Sequence, residues 1–175
     1  MILVALVVQI SFEEVFVDYR VGIGYDAHRF TEGRPLILGG ITVPHEKGLL
    51  GHSDADALSH AVSDAILGAA ALGDMGKYFP DSDPKWKGAD SLALLKESAR
   101  MAKGKGWKVC NVDASIVCQK PKLSDYLVSM SQMIEQTLEV SSDKVNVKAK
   151  TTEGMGFEGR EEGLSVQAVV LLQRE

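Results

Sequence analysis

The sequence predicts an α+β fold: a single mixed β-sheet with helices packed on one face. Three observations carry this. Segments that alternate apolar and polar residues are interleaved with segments whose apolar residues recur at helical spacing. Their order is strand, hairpin, helix, helix, strand, helix, strand, strand, which suits one mixed sheet. The chain has 175 residues with no internal repeat or low-complexity linker, enough for one sound core and too few for two ordinary domains.

The first strand runs from Tyr19 to Ala27, with Val21, Ile23 and Tyr25 on one face and Gly22 and Gly24 on the other. Leu36 to Val43 reads as a hairpin whose Gly39-Gly40 pair supplies the positive φ angles of a two-residue turn, and Pro44 closes it. Ser53 is a good N-cap, with Asp56 three residues on as in a capping box, for a helix running to about Leu72 and stopped by Gly73. Its apolar stripe is Leu58, Ala61, Val62, Ala65, Ile66 and Ala69; beside it Asp56, His60 and Asp64 form a polar stripe. Gly73 to Gly88 is a polar, proline-containing loop. Asp90 or Ser91 then caps a helix carrying Leu92, Leu95, Ala99 and Ala102, ended by Gly104 and Gly106. Lys108 to Gln119 is a strand. Lys122 to Leu138 has Leu127, Met130, Ile134 and Leu138 at helical spacing, Lys144 to Lys150 turns Val145, Val147 and Ala149 inward, and Leu164 to Leu172 is a last apolar strand. Helices on one side leave the other face of the sheet to be covered. Because the last strand is apolar on alternate positions too (Leu164, Val166, Ala168, Val170), that open face is expected to meet other subunits.

Composition narrows the function. Apolar residues are 45% and charged residues 25%, values that favour neither disorder nor a membrane protein. A net charge of −5 lacks the basic excess of a nucleic-acid binder, so an anionic substrate must be held locally, by metals and backbone amides. Cys110 and Cys118 lie roughly 26 Å apart on one predicted strand and cannot bridge each other, which fits a reducing cytoplasm; both are expected inward with Val112, Ala114 and Ile116. Met1 to Ile10 is apolar, yet it has no basic start, is too short to span a bilayer and is followed by Glu13, Glu14 and Asp18. It reads as an N-terminal extension over residues 1–19, ahead of a single domain over 20–175.

Chemistry is concentrated in two short segments. Asp26 and His28 are two apart on the first strand and leave the same face, while His60 comes from the polar stripe of the first helix. Two imidazoles and one carboxylate with a fourth position open make the ligand count of a catalytic zinc. Asp56 is either an acceptor behind a ligand imidazole or a first-turn acid favoured by the helix dipole. His52 and Ser53 sit where the chain enters that helix, where free N–H groups favour phosphate.

Six motifs in order then carry a resemblance over about residues 20–175: Gly24-Tyr25-Asp26-Ala27-His28, Lys47 to Asp56, Leu72 to Gly76, Phe79-Pro80-Asp81-Ser82-Asp83, Asn146 to Glu153 and Gly156 to Arg160. The chain resembles the 2-C-methyl-D-erythritol 2,4-cyclodiphosphate synthase family of the non-mevalonate isoprenoid pathway. The resemblance implies a homotrimer whose sheets face the three-fold axis, with active sites at subunit interfaces. It implies Zn²⁺ on Asp26, His28 and His60, and Mg²⁺ or Mn²⁺ between Glu153 and the substrate diphosphate. It makes His52 and Thr151 the transition-state-stabilising residues. Asp26, His28, Ser53, Asp74, Met75, Gly76, Phe79, Pro80, Asp81, Ser82 and Asp83 are the expected contacts of the methylerythritol phosphate. The cytidine is expected on Cys118, Gln119, Lys120, Pro121, Lys122, Leu123 and Ser124 of an adjacent subunit, and the diphosphate beside Lys150, Thr151, Thr152 and Glu153. Phe157 and Arg160 match positions lining an axial cavity that holds an isoprenoid diphosphate in some members, where Gln167 replaces a frequent Glu. Two alternatives accompany this reading: a metal-dependent phosphohydrolase, and a non-catalytic trimer that binds isoprenoid diphosphates.

Overall fold

A computed structural model describes residues 17–175. The reading of Met1 to Ile10 as an extension lies outside the described residues. In chain order the elements are β1 (Tyr19–Thr31), β2 (Leu36–Leu38), β3 (Ile41–Val43), β4 (Gly48–Leu49), α1 (Ala57–Ala69), α2 (Met75–Tyr78), α3 (Ser91–Lys103), β5 (Trp107–Val117), α4 (Leu127–Leu138), β6 (Val145–Lys150), α5 (Gly156–Gly159) and β7 (Gly163–Arg174). The main sheet is mixed, in the order β4-β1-β7-β5-β6, with only the β5–β6 pair parallel.

The hairpin of β2 and β3 turns on Gly39 and Gly40 at φ 56° and 71°, the positive pair a two-residue turn demands. β1 outruns its predicted end at Ala27, because β7 continues to pair with it as far as Arg29 and β4 takes over at Phe30. α1 starts later than expected. Its N-cap is Asp56, since Ala55 at φ 61° breaks the helical path between Ser53 and Ala57. α4 also starts five residues past Lys122, because Leu123 is turned into the core before the helix begins at Leu127. Within the predicted loop from Gly73 to Gly88 lie α2 and a single 3₁₀ turn, Pro84–Trp86, each opened by an Asp that caps it. α3 is capped by Asp90.

The two faces of the sheet differ sharply. Leu164, Val166, Ala168, Val170 and Leu172 of β7 are fully buried with Ala61, Ala65 and Ile66 of α1, each large side chain contributing about 1.5–3 kcal/mol by leaving water. This corrects the expectation for the open face, because the alternating β7 series is the covered one. What stays open is Val21, Ile23, Tyr25 and Val169, between 44% and 71% exposed, with Ile23 directly paired to Val169 across the strands. A second correction concerns the cysteines. A β-bulge between Val109 and Asn111 shifts Cys110 out of the inward series and leaves it half-buried, whereas Cys118 is buried just past the strand.

Candidate active site

β1 lies so close on α1 that only glycine fits between them. Gly22 and Gly24 face the backbone of Ala65 and Ala61, and the next two residues on the same side of the strand are Asp26 and His28. His60 precedes Ala61 on the helix, so the predicted triad comes together. Asp26 Oδ2 lies 3.0 Å from His28 Nε2 and 2.9 Å from His60 Nδ1, with the two imidazole nitrogens 3.3 Å apart. His28 Nδ1 donates to the Leu50 carbonyl at 2.8 Å, which turns Nε2 toward the other two. Burial works against the charge on Asp26, but the hydrogen bonds and charge of His28 and His60 outweigh it and hold the carboxyl well below its usual range. Burial likewise opposes protonation of His28, and Asp26 with the Leu50 carbonyl raises its pKa in spite of that. Among the described residues this is the group of donors that converges: the three ligand atoms lie within 4.8 Å of one another. Two borderline nitrogens and one oxygen, open on the remaining side, fit Zn²⁺.

The triad forms one wall of a cavity of about 550 Å³. Of the residues the resemblance makes substrate contacts, His52, Ser53, Met75, Gly76, Phe79, Pro80 and Asp81 line it. Asp74, Ser82 and Asp83 do not. Asp74 caps α2 by accepting from Lys77 N–H at 2.9 Å, and Asp83 caps the 3₁₀ turn through Lys85 N–H at 3.0 Å. The Asp83 carbonyl nevertheless lies 3.3 Å from His52 Nε2. Asp56 answers to neither of its expected roles. It is fully buried as the N-cap of α1, accepting from Leu58 and Ser59 N–H and the Ser59 hydroxyl while reaching back to Gly39 and Gly40 N–H at 2.8 and 2.7 Å. Burial pushes its carboxyl above the usual value, with the N–H groups of Ser59, Gly40 and Gly39 pulling the other way.

Two residues that shape the site, Asp64 and Arg34, received no role from the sequence. Asp64, on the polar stripe one turn past His60, lines the cavity and accepts from Met75 N–H at 2.8 Å, tying α2 to α1. Burial raises its carboxyl against the pull of Met75 N–H, and the nearby charges of Asp74 and Asp26 add to the rise. Arg34 grips the chain on both sides of His52, donating to the carbonyls of Gly51 and Ser53 at 2.6 and 2.5 Å. The polar stripe pointed to Asp64; nothing in the local pattern pointed to Arg34.

The remaining expected contacts gather elsewhere. Cys118, Gln119, Pro121, Lys122, Leu123, Ser124, Lys150 and Thr151 line a second cavity of about 220 Å³. Lys120 turns aside to Glu161 at 2.9 Å. Thr151 donates to Glu153 Oε1 at 2.7 Å, Thr152 donates to the Met155 carbonyl, and Glu153 takes φ 54°. Phe157 sits half-buried on α5, and exposed Arg160 pairs with Glu162 at 2.7 Å. The pairing register puts Ala27, Ser165, Val117 and Lys150 in one row across β1, β7, β5 and β6. The two clusters therefore occupy the same end of the sheet but opposite sides of it, three strand spacings or about 14 Å apart.

Comparison with known proteins agrees with this architecture. The model of the YgbB family matches residues 19–173. A protein of Pseudomonas putida named 2-C-methyl-D-erythritol 2,4-cyclodiphosphate synthase is 59% identical over 153 residues, 87% of this chain and 98% of its own. Among solved structures, the bifunctional IspDF of Campylobacter jejuni superposes with a TM-score of 0.89 at 42% identity, covering 91% of this chain and 43% of that one. A 2C-methyl-D-erythritol-2,4-cyclodiphosphate synthase solved with CDP superposes with a TM-score of 0.80 at 37% identity, covering 87% of this chain and 99% of that one. A family match over nearly the whole described chain, joined to identity this high, leaves one assignment: the chain belongs to the YgbB family.

Proposed function

We infer that the chain is a 2-C-methyl-D-erythritol 2,4-cyclodiphosphate synthase, a cyclising phosphorus–oxygen lyase of isoprenoid precursor biosynthesis. The observation that carries this reading is the convergence of Asp26 Oδ2, His28 Nε2 and His60 Nδ1 on the wall of a cavity deep enough for a sugar phosphate. The CDP-bound relative supports a cytidine nucleotide as the ligand. In the reaction, the 2-phosphate of 4-diphosphocytidyl-2-C-methyl-D-erythritol 2-phosphate attacks the β-phosphorus, CMP leaves, and the eight-membered cyclic diphosphate forms. No covalent enzyme intermediate is required.

Asp26, His28 and His60 would hold Zn²⁺, and Glu153 would help hold Mg²⁺ or Mn²⁺ at the substrate diphosphate. When bound, these ions supply Lewis-acid polarisation of the phosphates and neutralise their charge. The rest falls to the chain. His52, fixed by Arg34 on both flanking carbonyls, meets developing charge from one side and Thr151 from the other. Ser53 binds the methylerythritol phosphate, and the Cys118–Ser124 segment holds the base.

Because the two clusters lie on opposite sides of one sheet, a complete site forms when the β1 side of one protomer meets the β6 side of the next. A head-to-tail contact of that kind forms a ring when its rotation closes, and the exposed face of Val21, Ile23, Tyr25 and Val169 supports closure as a homotrimer with its sheets toward the axis. In such a trimer Phe157 and Arg160 line the axial cavity, where an isoprenoid diphosphate would compete with Glu162 for Arg160. Residues 20–175 form the synthase domain. Cys110 and Cys118, both unpaired, favour the cytoplasm, and no helix among the described residues is long and apolar enough to cross a membrane.

Incubation of the purified protein with the cytidyl substrate tests the reading. Cyclic diphosphate and CMP are the expected products. Open-chain phosphates would instead mark a phosphohydrolase, and no turnover a binding protein.

A further inference from the structure

His60 offers Nδ1 to Asp26 and His28, and its other nitrogen points away from the cavity into a small polar pocket. There Ser91 Oγ lies 2.8 Å from Nε2 and Ser53 Oγ 3.1 Å from it. Ser91 and Ser53 are both buried. The direction of each hydrogen bond in this pocket can be worked out from its far end.

Asp54 closes the far end. Its carboxylate accepts from Ser91 N–H and from Asp56 N–H, both at 3.1 Å, and from the Ser91 hydroxyl. A carboxylate has no proton to give, so the single hydroxyl proton of Ser91 is committed to Asp54. What Ser91 Oγ then turns toward His60 is a lone pair. Ser53 Oγ already accepts from Ala55 N–H at 3.1 Å and has a lone pair left for His60 as well. Ser53 keeps its own hydroxyl proton, which Ser91 Oγ at 3.4 Å can accept, so Ser91 decides the order: its lone pair, 2.8 Å from Nε2, is satisfied by a proton on that nitrogen. With that proton on Nε2, Nδ1 can give up its own proton, now shared with Asp26 Oδ2 at 2.9 Å, and turn a lone pair to a metal at the point His28 Nε2 also faces.

We propose that Asp54 and Ser91 are positioning residues for the metal centre: the chain Asp54–Ser91–His60 locks His60 in the Nε2–H tautomer and so presents Nδ1 as a metal ligand. Neither residue touches the substrate cavity's metal ligands from the reacting side; both act through His60. A carboxylate behind a ligand imidazole is a common arrangement for raising ligand basicity, and here a serine is interposed. The arrangement also explains why Asp54 and Ser91 are joined by two hydrogen bonds: the backbone N–H and side-chain hydroxyl of the first residue of α3 fix the carboxylate in the plane that receives the hydroxyl proton. The proposal rests on the reading of His60 as a zinc ligand.

The test reads the tautomer without metal and the affinity with it. In chelator-stripped ¹⁵N-labelled protein, long-range ¹H–¹⁵N correlations of the His60 ring should report a proton on Nε2, whether or not Nδ1 carries a second one toward Asp26. Ser91→Ala should yield a mixture of tautomers and bind zinc about 10–100-fold more weakly, measured by competition with a chromophoric chelator. Ser91→Thr keeps the hydroxyl and should restore both. Asp54→Asn supplies a second route should Ser91→Ala fail to fold. An amide nitrogen turned toward Ser91 Oγ reverses the serine hydroxyl, makes Nε2 an acceptor and moves the proton to Nδ1. A folded Ser91→Ala or Asp54→Asn protein with the wild-type tautomer and zinc affinity within twofold of wild type would overturn the proposal. Failure of the zinc reading looks different: wild-type protein that binds no zinc, while the His60 tautomer still follows Ser91, would remove the metal role and leave the proton order standing.

Discussion

A Cβ built on Gly24 would stand 1.9 Å from the carbonyl oxygen of Ala61. Strand and helix are in backbone contact at this point, and Gly22 makes the same approach 2.0 Å from the carbonyl of Ala65. The approach is what brings the chemistry together, since Asp26 follows Gly24 by two residues and His60 is the neighbour of Ala61. Any side chain between the backbones would widen the gap that leaves Asp26 and His60 2.9 Å apart.

Gly24→Ala should therefore damage stability and metal binding together. The new methyl meets backbone rather than a movable side-chain end, so the strand must shift, at a cost of about 3 kcal/mol or more. A lowered urea midpoint and substoichiometric zinc are expected. A variant with the wild-type midpoint and full zinc would show that the backbone contact does not set the site.

The two metal assignments separate by mutation. His60→Ala removes one of three protein ligands and should lose most of its zinc and turnover while the oligomer persists. Glu153→Gln should keep its zinc and lose Mg²⁺ or Mn²⁺ dependence, because Glu153 lies with Thr151 in the other cluster. Elemental analysis and metal titration of activity check both. Full zinc in His60→Ala, or an unchanged titration in Glu153→Gln, would withdraw the respective ligand.

Much of this was legible in the sequence, and the failures have physical reasons. Alternation on β1 and helical spacing on α1 identified Asp26, His28 and His60 because both periods are local properties. The N-cap of α1 was misassigned because Ser53 and Asp56 are equally good capping residues; the choice between them is made by Ala55 at φ 61° and by the two hairpin N–H groups that need the Asp56 carboxylate. The covered face of β7 was misread because alternation marks Leu164, Val166, Ala168 and Val170 as one apolar series without saying on which side of the sheet the helices lie, and only the position of α1 decides that. Arg34 was invisible, since its partners are backbone carbonyls about twenty residues away that no side-chain pattern records.

Asp56→Asn tests the structural role assigned to that residue. All five of its partners are donors, so an amide NH₂ in either orientation meets another donor in a fully buried place. A loss of roughly 3 kcal/mol or more in unfolding free energy is expected. Zinc affinity of the folded fraction should stay at the wild-type value. If zinc affinity falls while stability does not, Asp56 acts on a ligand imidazole after all.

The thiols should react very differently. Burial pushes the Cys118 thiol up to about 12, and the S–H donates to the Lys120 carbonyl. At pH 8 only about one such thiol in ten thousand is ionised. Iodoacetamide at that pH should label half-buried Cys110 in the native protein and reach Cys118 only on denaturation. Native labelling at Cys118, read by peptide mass, would contradict its burial.

The homotrimer with sites shared between its chains, proposed above, makes a quantitative prediction for mixed oligomers. The zinc ligands lie on β1, Thr151 follows β6, and the row Ala27, Ser165, Val117, Lys150 holds them at one end of the sheet on opposite sides. Take one chain carrying His60→Ala and another carrying Thr151→Ala, each inactive as a homotrimer. In a mixed trimer, one junction joins an intact triad to an intact Thr151, whichever chain is in excess. Random reassembly at equal amounts makes about one junction in four of that kind, so about a quarter of wild-type turnover should return. If each site were built within a single chain, every site would still carry one of the two lesions and nothing would be recovered. Mixed trimers demonstrated by native mass spectrometry with no regained activity would therefore refute the interfacial site, whereas recovery near a quarter establishes its two-chain origin.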